Sequence, residues 1–161
     1  YVVNHILGGG SFTSRLYREI REKRGFAYGV STFLYPMQHT ALLMGWTQVR
    51  ADRTADSIAI IEREMKQMAE SGPTAEELDK AKAYLKGSFA LRFDSSTKIA
   101  AQLVQIQIDD LGIDYIDKRN AMIDAITLAD AKRVAGMLYD SRLLVTVVGR
   151  PVGLTSSDNP G

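Results

Sequence analysis

Apolar positions along this chain change period three times, and the changes divide it into elements. From Val3 to Arg24 the residues Ile6, Leu7, Leu16 and Ile20 fall at helical offsets around Gly8-Gly9-Gly10-Ser11. That spacing predicts a helix, a glycine break and a second helix from about Ser14 to Lys23. The basic run Arg21, Lys23, Arg24 and then Gly25 marks its C-terminal stop, because cations favour the negative end of the helix dipole and glycine accepts the turn that follows. After Gly25 the period falls to two. Tyr28, Val30, Thr32 and Leu34 alternate with Gly29, Ser31, Phe33 and Tyr35, and a second run, Thr40 to Val49, follows Pro36-Met37-Gln38-His39. The pair reads as an antiparallel hairpin.

Helical spacing then returns. Ile58, Ile61, Met65 and Met68 form an apolar stripe from about Asp52 to Ser71, closed by Gly72-Pro73. The next helix opens on Thr74-Ala75-Glu76-Glu77, the spacing at which a cap hydroxyl and a carboxylate three residues later satisfy each other's backbone amides. Further helices are expected from Ser96 to Asp110, from Asp114 to Ala125 and from Leu128 to Leu138, the last capped by Thr127. Leu143 to Val148, almost all β-branched or Leu, reads as a buried final strand. The order predicts an α+β fold in which helices cover one side of a mostly antiparallel sheet. Three strands make a thin sheet, so one or more further strands are expected upstream of Tyr1. Residues 1–150 form the expected domain, and 151–161 a polar tail whose stretch from Thr155 is expected to be disordered. The helical pattern is under way by Val2 with no Met or charged leader before it, so any targeting segment would lie upstream and the compartment stays open.

Composition narrows the chemistry. At 161 residues and 45% hydrophobic content the chain can bury a core without disulfides, and with no Cys it has no thiolate metal site and no cysteine nucleophile. A net charge of +1 gives no electrostatic reason to expect nucleic acid or an anionic membrane as partner. Its two histidines, His5 and His39, are thirty-four positions apart with no Glu at ligand spacing, so both read as surface or capping residues and no zinc site is expected in this chain. A serine triad lacks its Gly-x-Ser-x-Gly elbow. Gly8-Gly9-Gly10-Ser11 lacks the Lys of a phosphate loop and follows a helix instead of a strand, so it reads first as a structural turn, with a small-anion module as a lesser alternative. Arg18, Glu19, Glu22 and Lys23 read as a solvated helix face. Arg21 and Tyr28 differ. One ends a helix and the other starts a strand, and a guanidinium fork beside a phenol makes a donor set for main-chain carbonyls or an oxyanion.

The stretch from Leu7 to Tyr28, with Leu7-Gly8-Gly9, Ser14-Arg15-Leu16 and Arg21-Glu22-Lys23-Arg24-Gly25-Phe26-Ala27-Tyr28, resembles the C-terminal half of pitrilysin/insulinase-type zinc peptidases, the family that includes mitochondrial processing peptidase. Thr74 to Leu78, Lys80-Ala81-Lys82, Leu85-Lys86-Gly87 and Leu143 to Gly149 extend the resemblance over most of residues 4–150. It implies one of two α+β halves that close into a chamber, the other half carrying a His-x-x-Glu-His zinc motif on the same chain or on another subunit. That motif is absent here, so the resemblance implies the non-catalytic half, with Arg21 and Tyr28 matching the Arg and Tyr seven residues apart that hold the substrate backbone. Zinc is expected in the partner half, and the expected partners are that half and a peptide substrate. The alternative is a catalytically inactive structural subunit of the same fold.

Overall fold

The computed structural model describes residues 1–140 and 143–154. A first helical segment, α1 (residues 2–9), starts as an α-helical turn over Val2–Asn4 and widens to a π-helical turn over His5–Gly9. A 3-10 turn at Ser11–Thr13 leads into α2 (residues 15–22), which repeats the sequence of turns: Arg15–Tyr17 is α-helical and Arg18–Glu22 is π-helical. β1 (Ala27–Pro36) and β2 (Ala41–Val49) then pair antiparallel. Five helices follow: α3 (Thr54–Ser71), α4 (Ala75–Gly87), α5 (Ser96–Ile108), α6 (Tyr115–Ala125) and α7 (Leu128–Tyr139). The predicted hairpin and the predicted helical boundaries agree with these spans to within two or three residues. The expected capping box forms, Thr74 and Glu77 exchanging amide hydrogen bonds, and the Thr127 cap proves to be a second box with Asp130, so the amides that open α4 and α7 are satisfied.

The fold is α+β, with helices against one face of the hairpin. In register, Phe33 faces Met44, Tyr35 faces Leu42 and Ser31 faces Trp46, and this set lies on the outer face; Val30 and Thr32 lie on the inner face, against α1 and α2. One core joins Leu7 of α1, Leu16 and Ile20 of α2, Val30 of β1, Met68 of α3, Leu85 of α4, Ile123 of α6 and Ala135 of α7. The buried seam of α3 is Ser57, Ile60, Glu64, Met65 and Met68, one position away from the apolar stripe, with Ile58 and Ile61 only half-buried at its edge. Glu64 enters the seam with Arg63 Nη2 donating to its carboxylate at 2.9 Å. The expected buried strand at Leu143 to Val148 is not formed: these residues are without strand pairing, and Leu144 and Val148 are 89% and 95% exposed. β-branched runs favour an extended backbone, but a strand exists only where an edge accepts its hydrogen bonds and a layer covers its face. The expected disorder from Thr155 falls outside the described residues.

The glycines also behave differently from expectation. Helical structure continues through Gly8 and Gly9, and the chain breaks at Gly10, because the first two glycines let α1 lie almost in contact with β1. A Cβ on Gly8 would stand 2.5 Å from Thr32 Oγ1 and 2.8 Å from Thr32 Cγ2; one on Gly10 would stand 2.6 Å from the His5 carbonyl oxygen. At the same contact Asn4 Nδ2 donates to the Thr32 carbonyl at 3.1 Å and Thr32 Oγ1 donates to Asn4 Oδ1 at 2.8 Å, so both buried polar side chains are satisfied. Gly8→Ala should therefore destabilise the protein by about 1–3 kcal/mol, the usual cost of overpacking. Gly29→Ala, where a Cβ would meet nothing within 4 Å, should stay within about 0.5 kcal/mol. Denaturant unfolding of the two full-length variants measures the difference.

Candidate substrate-clamping site

Three local devices place Arg21 and Tyr28. The π-helical turn Arg18–Glu22 ends in a widened version of the usual glycine stop: the Lys23 amide donates to the Arg18 carbonyl and the Phe26 amide to the Ile20 carbonyl, with Gly25 at φ +63°. This carries the chain directly from α2 into β1. A β-bulge follows. Ala27 pairs with Val49 and Val30 with Thr47, so Tyr28 and Gly29 together oppose the single residue Gln48. The extra residue allows both Ala27 and Val30 to face the core and leaves Tyr28 85% exposed, while Thr47 Oγ1 donates to the Gly29 carbonyl at 2.9 Å.

The two predicted residues meet. Arg21 Cζ lies 4.6 Å from the centre of the Tyr28 ring, a cation–π distance. Two further aromatic residues, which the sequence reading passed over, complete the surroundings. Tyr17 is buried, its ring centre is 4.9 Å from Arg21 Cζ, and its hydroxyl accepts a hydrogen bond from Arg21 Nη1. Phe12 packs edge-on against Tyr17 at 5.1 Å and stands 5.9 Å from Arg21 Cζ. The available signal was spacing: Tyr17 and Arg21 are four apart on one helix, which places them on one face. Among the described residues nothing accepts from Arg21 Nε or Nη2 or from the Tyr28 hydroxyl, so the site offers two kinds of donor to an incoming acceptor.

The platform beneath is fixed by Arg15, one residue after the cap Ser14. Its Nε and Nη2 donate to the two Glu77 carboxylate oxygens, each at 2.7 Å, and Nη2 also reaches the Gly72 carbonyl at 3.1 Å. A cation in the first turn of a helix opposes the helix dipole, and the Glu77 carboxylate offsets that conflict. Glu77 also accepts from the Thr74 amide at 2.8 Å, so one carboxylate caps α4 and anchors α2. Around Arg21, Glu19 pairs with Lys23, Arg24 and Arg63 of α3; Lys23 is solvated as expected, whereas Glu19 is largely covered, its side chain 13% exposed. His5 corrects its expectation: it is buried and stacked on Tyr84 of α4 at 5.1 Å because the π-helical turn of α1 rolls it inward, and burial lowers its pKa. His39 is exposed in the hairpin turn. Among the described residues no three His, Asp or Glu side chains converge, so this donor set does not fit a zinc ion. No helix among them is long and apolar enough to cross a membrane.

The described residues thus form an α+β domain in which a helix-backed hairpin displays an exposed Tyr28 against Arg21. Residues 1–85 match the family described as the peptidase M16 inactive domain, and the chain belongs to that family. It is 29% identical over 148 residues to an uncharacterised zinc protease of Streptomyces coelicolor, covering 92% of this chain and 32% of that protein. Over 91 residues it is 36% identical to the non-peptidase homologue YmxG of Helicobacter pylori, covering 56% of this chain and 21% of that one. A crystal structure of a peptidase M16 inactive domain from Pseudomonas fluorescens superposes with a TM-score of 0.75 at 32% identity, over 85% of this chain and 32% of that one. The chain thus spans about a third of the length of the first curated relatives it matches.

Desolvation raises the Glu77 pKa, but hydrogen bonds from Arg15 and the Thr74 amide outweigh it and hold the carboxyl below its ordinary 4.5. A depressed carboxylate contributes stability that is fully present above the unfolded-state value and is lost as pH falls through the folded-state value. Glu77→Ala should cost about 2–4 kcal/mol at pH 7, since it leaves the buried Arg15 with one carbonyl, and should flatten the decline of stability below pH 4.5. Urea titrations across that pH range, on variant and parent, check both effects.

Proposed function

We propose that this chain is the non-catalytic half of a zinc metalloendopeptidase, and that it holds the backbone of a peptide substrate opposite a zinc-bearing half on the same chain or on another subunit. The observation that carries the reading is the convergence of Arg21 and Tyr28 with unused donors on an exposed surface. A guanidinium fork and a phenol both bond main-chain carbonyl oxygens, which every peptide presents whatever its side chains. Fixing those carbonyls orients the scissile bond, and orientation alone accounts for a large share of many enzymes' rate enhancement. The hydrolytic chemistry belongs to the zinc-bearing half, since no described cluster here fits the metal. Membership of the inactive-domain family and the zinc-protease names of several relatives support the assignment.

A second reading, a catalytically silent subunit, is favoured by the Helicobacter pylori relative described as a non-peptidase homologue. The two readings part at Arg21 and Tyr28, because scaffolding has no use for free donors. In the full-length protein with its zinc-bearing half, Tyr28→Phe should lower kcat/KM for peptide cleavage by roughly ten- to a thousand-fold, and Arg21→Ala at least as much. Zinc content should not change in either variant. Cleavage assays, metal analysis and melting curves on both variants decide the matter: full activity in both, or activity lost only in step with stability, refutes the clamp. The chain by itself should retain no stoichiometric zinc in equilibrium dialysis.

A further inference from the structure

Arg21 is a long, flexible cation, yet it lies among three aromatic rings, and one of them, Tyr17, holds it through a nitrogen that is not among the free donors. We propose that Tyr17 is the positioning residue of the clamp: its buried hydroxyl takes one Arg21 nitrogen as a fixed anchor, and Phe12 braces the Tyr17 ring from the solvent side. This rests on the clamp reading of Arg21 and Tyr28.

The division of contacts supports it. Tyr17 is 6% exposed, and its hydroxyl accepts from Arg21 Nη1. Arg21 Cζ lies 4.9 Å from the Tyr17 ring centre and 4.6 Å from that of Tyr28, so the guanidinium contacts one buried and one exposed ring. With Nη1 bound, Nε and Nη2 have no acceptor among the described residues and keep their donor capacity. Phe12 is 66% exposed and meets Tyr17 at an interplanar angle of 74°, the edge-to-face geometry that favours a fixed ring. The residue before it, Ser11, has φ +46°, a left-handed conformation that costs energy for a non-glycine residue and that the turn after Gly10 imposes. A surface phenylalanine held by such a turn against a buried tyrosine restricts Tyr17 from outside, as the core does from inside. An arginine anchored at one nitrogen loses less side-chain freedom when its other donors engage a peptide, and that is a gain in binding without a new contact.

The test is a double-mutant cycle in the full-length protein, read by two assays. One is peptide cleavage. The other is anisotropy of a fluorescein-labelled unstructured peptide bound to the EDTA-treated protein, which reports binding without turnover. Tyr17→Phe keeps the ring and removes only the anchor oxygen, so the melting temperature should hold. Peptide affinity and kcat/KM should both fall about three- to thirty-fold, the effect of losing one hydrogen bond to a charged group. In an Arg21→Ala background the same substitution should change neither by more than about twofold, because its action passes through Arg21. Equal losses in both backgrounds, or no loss when Arg21 is present, overturn the positioning role. If Arg21→Ala leaves affinity and cleavage intact, the clamp itself fails, a result distinct from an inert Tyr17→Phe beside a damaging Arg21→Ala. Should Tyr17→Phe not fold, the cycle run with Phe12→Leu on the exposed side decides: a loss that requires Arg21 supports the proposal, and an Arg21-independent effect or none refutes it.

Discussion

The structure depends on how closely α1 can approach β1. A glycine at position 8 brings the helix backbone to the Thr32 side chain, and the reciprocal bonds between Asn4 and Thr32 hold it there with both polar groups satisfied. Any side chain at Gly8 would need the space Thr32 occupies, so the contact admits little variation. Interiors packed this densely move in discrete steps, and a shift here would pass to Leu7 and Leu16, both fully buried in the same core.

That approach also settles where α2 must run. The chain leaves Gly10 through a strained Ser11, is capped at Ser14 and passes over the core as a helix whose last turn is π-helical. From there Gly25 and the bulge at Tyr28-Gly29 deliver the chain to β1 in a register that buries Val30 and Thr32. Arg21 and Tyr28 are neighbours because these irregularities add up. Wide helical turns and bulges disturb regular hydrogen bonding, and both are found where a protein must aim a side chain instead of packing it. The regular interior lies elsewhere, along α3, α4 and α7, and the Arg15–Glu77 pair ties α2 to the start of α4.

The outer face of the hairpin is unusually apolar for a surface. Phe33, Tyr35, Leu42, Met44 and Trp46 are all between 38% and 57% exposed, and Leu143 to Val148 add a further apolar run without strand pairing. The inner face, with Val30, Thr32, Leu43 and Gly45, carries smaller side chains and is covered by helices, so the larger apolar side chains of the hairpin stand on its open side. Alternation along β1 does not express this, because a polar Thr32 lies on the inner face while Phe33 and Tyr35 lie on the outer one.

Local signals determined most of the element list. The hairpin, the Thr74 capping box, the Thr127 cap, the Gly25 stop and the five helices after the hairpin were legible because each arises from interactions within a few residues, which sequence spacing records. Arg21 and Tyr28 stood out through the resemblance of the stretch from Leu7 to Tyr28 to the peptidase family, since their spacing alone is a weak signal. Tertiary structure alone decided what those signals do not encode: that Gly8 and Gly9 continue a helix against Thr32, that His5 turns inward onto Tyr84, that Arg15 pairs with Glu77 sixty-two residues away, and that Leu143 to Val148 stay unpaired. Each depends on a partner far along the chain. Backbone approach, burial and strand pairing are properties of the meeting of two segments, and no spacing within one of them can specify the other.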